Sequence, residues 1–208
     1  MILKELDPFY SNGEQELAAR ISADRMAYYL RRYFRRSVEV DVLNGLRLRS
    51  GRSIARVDHL LLHNHGMLVV EREDVQGPVR IDDDGQWTQW NDDLLPVAMG
   101  SPITRAYVQA LLLKAFLDRR VRQKGFFDQV DLDVLVVVSD TCEIEWPPTG
   151  RLVEVCRRDE VFARVSQRLV ECRDKATRPG SLPASERLIL GEFLSKVHIR
   201  ATYKKPDG

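Results

Sequence analysis

Three carboxylates in two neighbouring apolar segments are the side chains of this chain best placed to do chemistry. Asp58 lies inside the segment 54–62, and Glu71 and Glu73 close the next apolar segment. Both segments have the composition of strands, and the turn residues 64–66 between them predict a hairpin. The period-two pleat of a strand places Glu71 and Glu73 on one face, and the hairpin brings Asp58 beside Glu71.

Carboxylates that converge in this way repel one another unless a proton or a cation lies between them. Oxygen clusters of this kind hold hard divalent ions such as Mg²⁺ or Mn²⁺. Such ions activate water and stabilise charge on a transferring phosphate. The alternative is that the acids are solvated charges at a strand end, with Arg72 as their partner. Spacing alone favours this alternative, because short acidic motifs are common by chance.

The order of motifs around the acids resembles the nuclease-related domain (NERD) family, a branch of the PD-(D/E)xK phosphodiesterases. In that family a Gly-Glu pair begins a helix, and an Asp-His pair precedes aliphatic residues. A Gly then precedes an apolar strand that ends in Glu-x-Lys. The matching residues here are Gly13-Glu14, Asp58-His59, Gly66, Glu71-Arg72-Glu73, Gly77, Trp87 or Trp90, and Ser101-Pro102. The resemblance covers about residues 13–138.

Two positions depart from the family pattern. Glu73 stands where the family has Lys, and Arg105 stands where it has Gln after the Pro. The family's Lys is thought to orient or activate the attacking water and to offset phosphate charge, whereas a minority of related restriction enzymes carries Glu there and cleaves DNA. Arg105 lies on the helix expected to face the site. There it would either supply the missing positive charge or form an ion pair with Glu71 or Glu73 that neutralises the acids of an inactive site.

The resemblance implies an α/β fold with a mixed central sheet flanked by helices, as in the PD-(D/E)xK restriction endonucleases. It also implies a phosphodiesterase that acts on DNA and depends on Mg²⁺ or Mn²⁺. Asp58 and Glu71 would bind the metal, and Glu14 would be a further ligand or hold a water. Glu73 would be the base or a second ligand, and Arg105 would steady the phosphate. The alternative is a catalytically degenerate domain that binds DNA or protein.

Further contacts to nucleic acid are expected from the end of the first helix and from the first strand of the hairpin. Arg31, Arg35 and Arg36 lie where they favour the helix dipole, and they could also grip a backbone phosphate. His59 follows Asp58 and could contact phosphate or metal, although a strand histidine more commonly faces the opposite side.

The elements that must position these residues follow from hydrophobic periodicity and turn signals. We predict helices over 14–34, from Ser101-Pro102 onward, 159–173 and 185–200, and strands over 38–42, 54–62, 67–71, 79–81, 86–90, 130–138 and 152–156. Residues 44–52 are expected to be a polar link, residues 178–184 a loop and residues 204–208 a frayed tail. Ser11 or Asn12 would cap the first helix.

The helix that starts at Pro102 is expected to bury one apolar stripe, with Ser101 as its cap. The residues of that stripe are Val108, Leu111, Leu112, Ala115 and Phe116. The short loops predict one domain over residues 1–208, in which the strands and helices of 152–200 complete the fold.

Composition narrows the class of protein further. Lys plus Arg number 32 and Asp plus Glu number 31, so the net charge of +1 excludes a globally basic nucleic-acid coat but not a local basic face. No apolar run approaches the ~20 residues of a membrane span, and residues 1–10 lack a signal-peptide core. The cysteines are Cys142, Cys156 and Cys172, an odd number without a C-x-x-C pair, which favours a reducing cytoplasm. A homodimer is left open.

Overall fold

The computed structural model of the chain describes residues 1–11, 13–75, 77–91, 93–120, 126–128, 130–174 and 182–200. Most of the predicted loop over 178–184 lies outside the described residues, as do the candidate cap Asn12 and the tail over 204–208.

The described elements confirm most of the predicted order. In chain order they are β1 (Ile2–Lys4), α1 (Glu14–Phe34), β2 (Val40–Ser50), β3 (Ser53–His63), β4 (Gly66–Glu73), β5 (Val79–Ile81), β6 (Trp87–Trp90), β7 (Pro96–Met99), α2 (Pro102–Arg120), β8 (Asp131–Val138), β9 (Ile144–Glu145), β10 (Val155–Arg157), α3 (Val161–Asp174) and α4 (Ala184–Val197). Single turns of 3-10 helix cover Phe126–Asp128 and Arg158–Glu160.

The central sheet is mixed, as predicted. Its strand order is β1-β2-β3-β4-β8-β10, in which β2, β3 and β4 are antiparallel neighbours and β8 runs parallel to β4 and β10. A second sheet has the order β7-β6-β5-β9. Helices α1 and α3 pack against one hydrophobic cluster of the central sheet, and α2 and α4 pack against the other. The fold is therefore a mixed central sheet flanked by helices.

Strands β4 and β8 form the middle of this sheet because their apolar runs are buried on both faces. Residues 66–70 and 134–138 are buried throughout, which is typical of central parallel strands covered by helices. Gly66 meets the start of β8 closely, since a Cβ atom built there would lie 2.1 Å from the backbone oxygen of Asp131. This approach explains why glycine begins β4.

Strand β2 is longer than expected, and the predicted polar link over 44–52 is wrong for most of its length. Leu46, Leu48 and Ser50 are buried while Arg49 is exposed, so the alternation of a strand continues to the turn before β3. Asn44 is also buried, and its side-chain oxygen contacts the ring of His59 on β3. Strands β1, β7 and β9 were not predicted.

The buried face of α2 also differs from expectation. In α1 the buried residues are Ala23, Met26, Ala27, Leu30 and Phe34, and in α2 they are Pro102, Ala106, Ala110, Leu113, Phe116 and Leu117. Leu111 is 61 % exposed, so the predicted stripe of α2 is wrong apart from Phe116 and the partly buried Leu112 and Ala115. The alanines allow α2 to approach the sheet closely, and this determines which face is buried.

The two predicted helix caps fare differently. Ser101 accepts a hydrogen bond from the backbone N–H of Thr104 at 3.3 Å and caps α2 as expected. The N-cap of α1 is Gly13, which provides no side-chain bond, while Ser11 bonds to the N–H of Gly13 at 3.1 Å. Among the described residues, no helix is long and apolar enough to cross a membrane.

Helix α4 is held to the sheet by a buried arginine. Arg187 is 1 % exposed and donates to Asp41 at 2.9 Å, to the backbone oxygen of Val38 at 2.7 Å and to that of Leu182 at 3.1 Å. It also bonds to the side-chain oxygen of Asn64. These bonds satisfy a charge that burial would otherwise make very costly.

Candidate active site

Strands β3 and β4 separate at the position of the predicted acids. Their hydrogen-bonded ladder ends at the pair His59 and Val70. Past that pair, the N–H of Asp58 donates to Glu71 Oε1 at 3.3 Å and the N–H of Arg72 donates to Asp58 Oδ2 at 3.0 Å. Side-chain carboxylates therefore take over the bonds that the ladder would have made. We call this region, residues 56–58 of β3 and 71–73 of β4, the strand fork.

A pocket of about 190 Å³ opens at the strand fork. The strands contribute Arg56, Asp58, Glu71, Arg72, Glu73 and Val136, and helix α2 contributes Pro102, Arg105, Ala106 and Gln109. The pocket thus brings four of the five predicted catalytic and metal-binding residues together on one face. The carboxylates of Asp58 and Glu71 face this pocket from adjacent strands, as the hairpin predicted.

Glu71 has the most perturbed ionisation in the pocket. Burial, followed by repulsion from the Asp58 carboxylate, raises the pKa of Glu71 to about 8. The nearby guanidinium groups of Arg72 and Arg105 act in the opposite direction but are outweighed. A buried carboxylate beside a second carboxylate favours a proton or a cation as its partner.

Glu73 is neutralised from the facing helix. Arg105 Nη2 forms an ion pair with Glu73 Oε2, in which the Glu73 side chain is 15 % exposed and that of Arg105 is 57 % exposed. Burial raises the pKa of Glu73 above its ordinary value, although the Arg105 guanidinium lowers it. The cation of α2 is thus positioned against the residue that replaces the family's Lys.

Arg72 connects the pocket to helix α1. Its Nε lies 3.4 Å from Asp58 Oδ2, and its Nη1 lies 3.0 Å from Asp74 Oδ2. The same Nη1 donates to the backbone oxygen of Ala19 in α1 at 3.1 Å. Ser22 of α1 also bonds to Asp74. Two contacts therefore hold the first half of α1 against the end of β4.

Glu14 is the predicted ligand that the structure does not bring into the pocket. It is exposed at the first residue of α1, five positions before Ala19, and it is not among the residues that line the pocket.

The basic residues at the end of α1 lie well away from the strand fork. Arg35 is 13 positions beyond Ser22, which corresponds to about 20 Å along a helix axis. Arg31 forms an ion pair with Glu5 at 2.7 Å, while Arg35 and Arg36 are exposed. Any contact these residues make to DNA would be distant from the pocket.

His59 is buried and does not fit the expectation of a nucleic-acid contact. It is 0 % exposed, and its Nδ1 lies 2.8 Å from the side-chain oxygen of Asn44 on β2. Burial, with a smaller contribution from Arg72, lowers the pKa of His59 to about 3, so the ring is neutral. His59 faces away from Asp58, as the pleat of a strand requires for successive residues.

Sequence reasoning missed two polar residues that line the pocket, Arg56 and Gln109. The backbone N–H of Arg56 on β3 donates to Gln109 Oε1 on α2 at 2.8 Å. Gln109 lies one helical turn after Arg105, so both side chains project from the same face of α2. For Gln109, the signal available in the sequence was its position four residues after Arg105, the residue that replaces the family's Gln.

The donor set of the pocket suits a hard divalent cation. Among the residues that the structure describes, no three His, Cys, Asp or Glu side chains form a metal-binding group. Mg²⁺ is commonly bound by one or two carboxylates together with waters and substrate phosphates. Asp58 and Glu71 are two such carboxylates, and the pKa of Glu71 is raised because burial and the Asp58 carboxylate disfavour its ionised form.

A known protein family matches more than half of the chain. Residues 13–139 match the sequence profile of the family described as nuclease-related domain. No curated protein and no solved structure matches the chain significantly.

Proposed function

The chain belongs to the nuclease-related domain family, and from that premise we propose that it is a metal-dependent phosphodiesterase that cleaves DNA. The observation that carries the proposal is the facing pair of carboxylates, Asp58 and Glu71, in a pocket whose burial keeps Glu71 from ionising freely.

Asp58 and Glu71 are the residues that would hold Mg²⁺ or Mn²⁺. The bound ion would supply positive charge to a phosphate oxygen and lower the pKa of a bound water. The protein contributes the position of both carboxylates: each accepts a hydrogen bond from a backbone N–H of the opposite strand. The sheet therefore holds their oxygens in place before substrate binds, which is the preorganisation that a metal site requires.

Glu73 and Arg105 are proposed to act as a unit. Arg105 holds the Glu73 carboxylate in place, and Glu73 would accept a proton from the attacking water or contact the metal. When a phosphate enters, the exposed guanidinium of Arg105 can donate to its oxygens in the planar, two-pronged geometry that Arg provides. Glu14 remains proposed as a further ligand or as the residue that holds a water.

Arg31, Arg35 and Arg36 are proposed as remote contacts to the DNA backbone. Their distance from the strand fork suits a duplex that extends beyond the pocket, since phosphate contacts position a protein on DNA without reading its sequence. His59 is left out of this set because it is buried.

A degenerate binding module is the second candidate, and one observation favours it. Asp58 and Glu73 are already paired with Arg72 and Arg105, so two of the three acids have a cationic partner within the protein. In that case the domain would bind DNA or protein with the same surfaces but would not depend on a metal ion.

Incubation with linear, nicked and single-stranded DNA, with Mg²⁺, Mn²⁺ or EDTA, tests the proposal. We expect cleavage that requires the metal and that Asp58→Asn and Glu71→Gln both abolish. Asp84→Asn removes an exposed acid from the turn between β5 and β6 and should cleave as wild type does. Metal-independent DNA binding without cleavage would instead support the binding module.

A further inference from the structure

The three arginines that line the pocket differ in their partners. Arg72 pairs with Asp58, and Arg105 pairs with Glu73. Arg56 is exposed, and within the ranges that the structure describes its guanidinium forms neither an ion pair nor a hydrogen bond. Its charge is therefore available to an anion that enters from outside.

Gln109 adds a second group of donors beside Arg56. Its Oε1 accepts a hydrogen bond from the backbone N–H of Arg56 at 2.8 Å. Only the oxygen of a side-chain amide can accept a hydrogen bond from an N–H group, because the amide nitrogen is itself a donor. This bond fixes the amide orientation, so the Nε2 end is the one left to donate. In the described part of the chain, Nε2 of Gln109 has no hydrogen-bond partner.

The neighbouring strand increases the positive charge at this place. Arg47 of β2 is the cross-strand partner of Arg56, and like charges directly opposite each other are destabilising. The Nε of Arg47 is buried and has no hydrogen-bond partner among the described residues. An anion bound at Arg56 would reduce this repulsion.

We propose that Arg56 and Gln109 form a phosphate-binding arm that contacts the DNA backbone next to the phosphate to be cleaved. Arg56 and Asp58, two residues apart on β3, line the same pocket. A phosphate held by the arm would thus lie beside the carboxylates at the strand fork. Guanidinium and amide N–H groups match the non-bridging oxygens of a phosphodiester. The inference rests on the proposed function, because DNA is the ligand.

The test measures binding of a short labelled duplex by fluorescence anisotropy over a series of KCl concentrations, with Ca²⁺ in place of Mg²⁺. Loss of one phosphate contact lowers the slope of log K against log salt by about 0.9. We expect this from Arg56→Gln, together with several-fold weaker binding. Arg56→Lys should keep the slope but bind more weakly than wild type. Gln109→Glu should weaken binding more than Gln109→Ala, because it adds a repelling charge.

Arg52→Gln is the matched control, since Arg52 is exposed in the turn between β2 and β3 and does not line the pocket. An equal loss of slope from Arg52→Gln would overturn the arm in favour of diffuse attraction. Wild-type binding and cleavage with an unchanged slope in Arg56→Gln would overturn the arm and leave the proposed function intact. A wild type that neither binds nor cleaves DNA would overturn both. Thermal melting of each variant confirms that it is folded.

Discussion

Arg105 of α2 forms an ion pair with Glu73, the last residue of β4. The positive charge that the family motif places on the strand thus reaches the pocket from the facing helix. In the family pattern the strand carries a Lys and the helix a neutral Gln, whereas here the strand ends in an acid and the helix carries the cation.

Replacing Glu73 with Lys tests whether this acid takes part in cleavage. Glu73→Lys places an ammonium group against the Arg105 guanidinium in a partly buried pocket, and it removes the proposed base. Loss of a general base costs about 10²–10⁴-fold in rate, and we expect a decrease of that size in plasmid nicking with Mn²⁺.

A charge-swapped double variant separates catalysis from repulsion. Glu73→Lys combined with Arg105→Glu rebuilds an ion pair of opposite polarity, so the melting temperature should recover while nicking stays low. Faster nicking by Glu73→Lys than by wild type would identify a site that had decayed by losing its Lys. If Glu73→Lys and Glu73→Ala both cleave as wild type does, Glu73 has no catalytic role.

Metal binding should release a proton from Glu71. Its pKa of about 8 in the folded protein means that it is mostly protonated at neutral pH, and a carboxylate must ionise before it can ligate a metal. We expect up to about one proton released per Mn²⁺ bound near pH 7. Calorimetric titration in two buffers with different ionisation enthalpies measures this number. Glu71→Gln should release none.

The same raised pKa makes stability depend on pH in a defined direction. Between the ordinary value of 4.5 and about 8, the folded protein binds more protons at Glu71 than the unfolded chain does. The contribution of Glu71 to the free energy of unfolding therefore decreases as pH rises through this window. Urea unfolding of metal-free wild type and Glu71→Gln at several pH values should show a steeper decline for wild type.

Two buried histidines should act in the opposite direction at lower pH. Burial lowers the pKa of His59 to about 3 and that of His63 to about 4, both from 6.5. The unfolded chain thus binds more protons there, and stability is lost as pH falls below about 6.5. Urea unfolding between pH 4.5 and 7 should show a shallower slope in His59→Gln and in His63→Gln. Retention of the full wild-type slope in both variants would contradict this account.

Arg187 should be the most sensitive polar position outside the pocket. Arg187→Leu removes three bonds to backbone and carboxylate oxygens and leaves Asp41, 6 % exposed, without its buried partner. Breaking one side of a buried pair costs about 3–5 kcal/mol, which urea unfolding measures. The exposed pair of Arg173 and Glu39 provides the control, because its loss in Arg173→Gln should cost about 0–1 kcal/mol.

The hairpin that carries the acids could be predicted because both of its signals are local. Strand β3 and strand β4 are short apolar runs separated by a turn, and the pleat then determines the shared face of Asp58 and Glu71. The same rule was available for β2, where Leu46 and Leu48 alternate with Arg47 and Arg49, but the charged residues suggested a link.

The buried face of α2 and the contact between Arg56 and Gln109 could not be predicted in the same way. Helix α2 has two faces that carry apolar side chains, and close packing on the sheet favours the face with Ala106 and Ala110 over the one with Leu111. Arg56 and Gln109 are separated by 53 residues. Their contact depends on how α2 crosses the first part of β3, which no local pattern specifies.

At the strand fork, Asp58 and Glu71 are under selection for two properties, the proposed catalysis and the stability of the sheet. Asp58 and Glu71 replace ladder hydrogen bonds between β3 and β4, so losing either carboxylate leaves a backbone N–H without its partner and loosens the sheet. A descendant of this protein that no longer needed to cleave anything would still be penalised for discarding them. We therefore expect both acids to be retained even in relatives that have lost catalytic activity. Their presence alone does not distinguish an active nuclease from an inactive one.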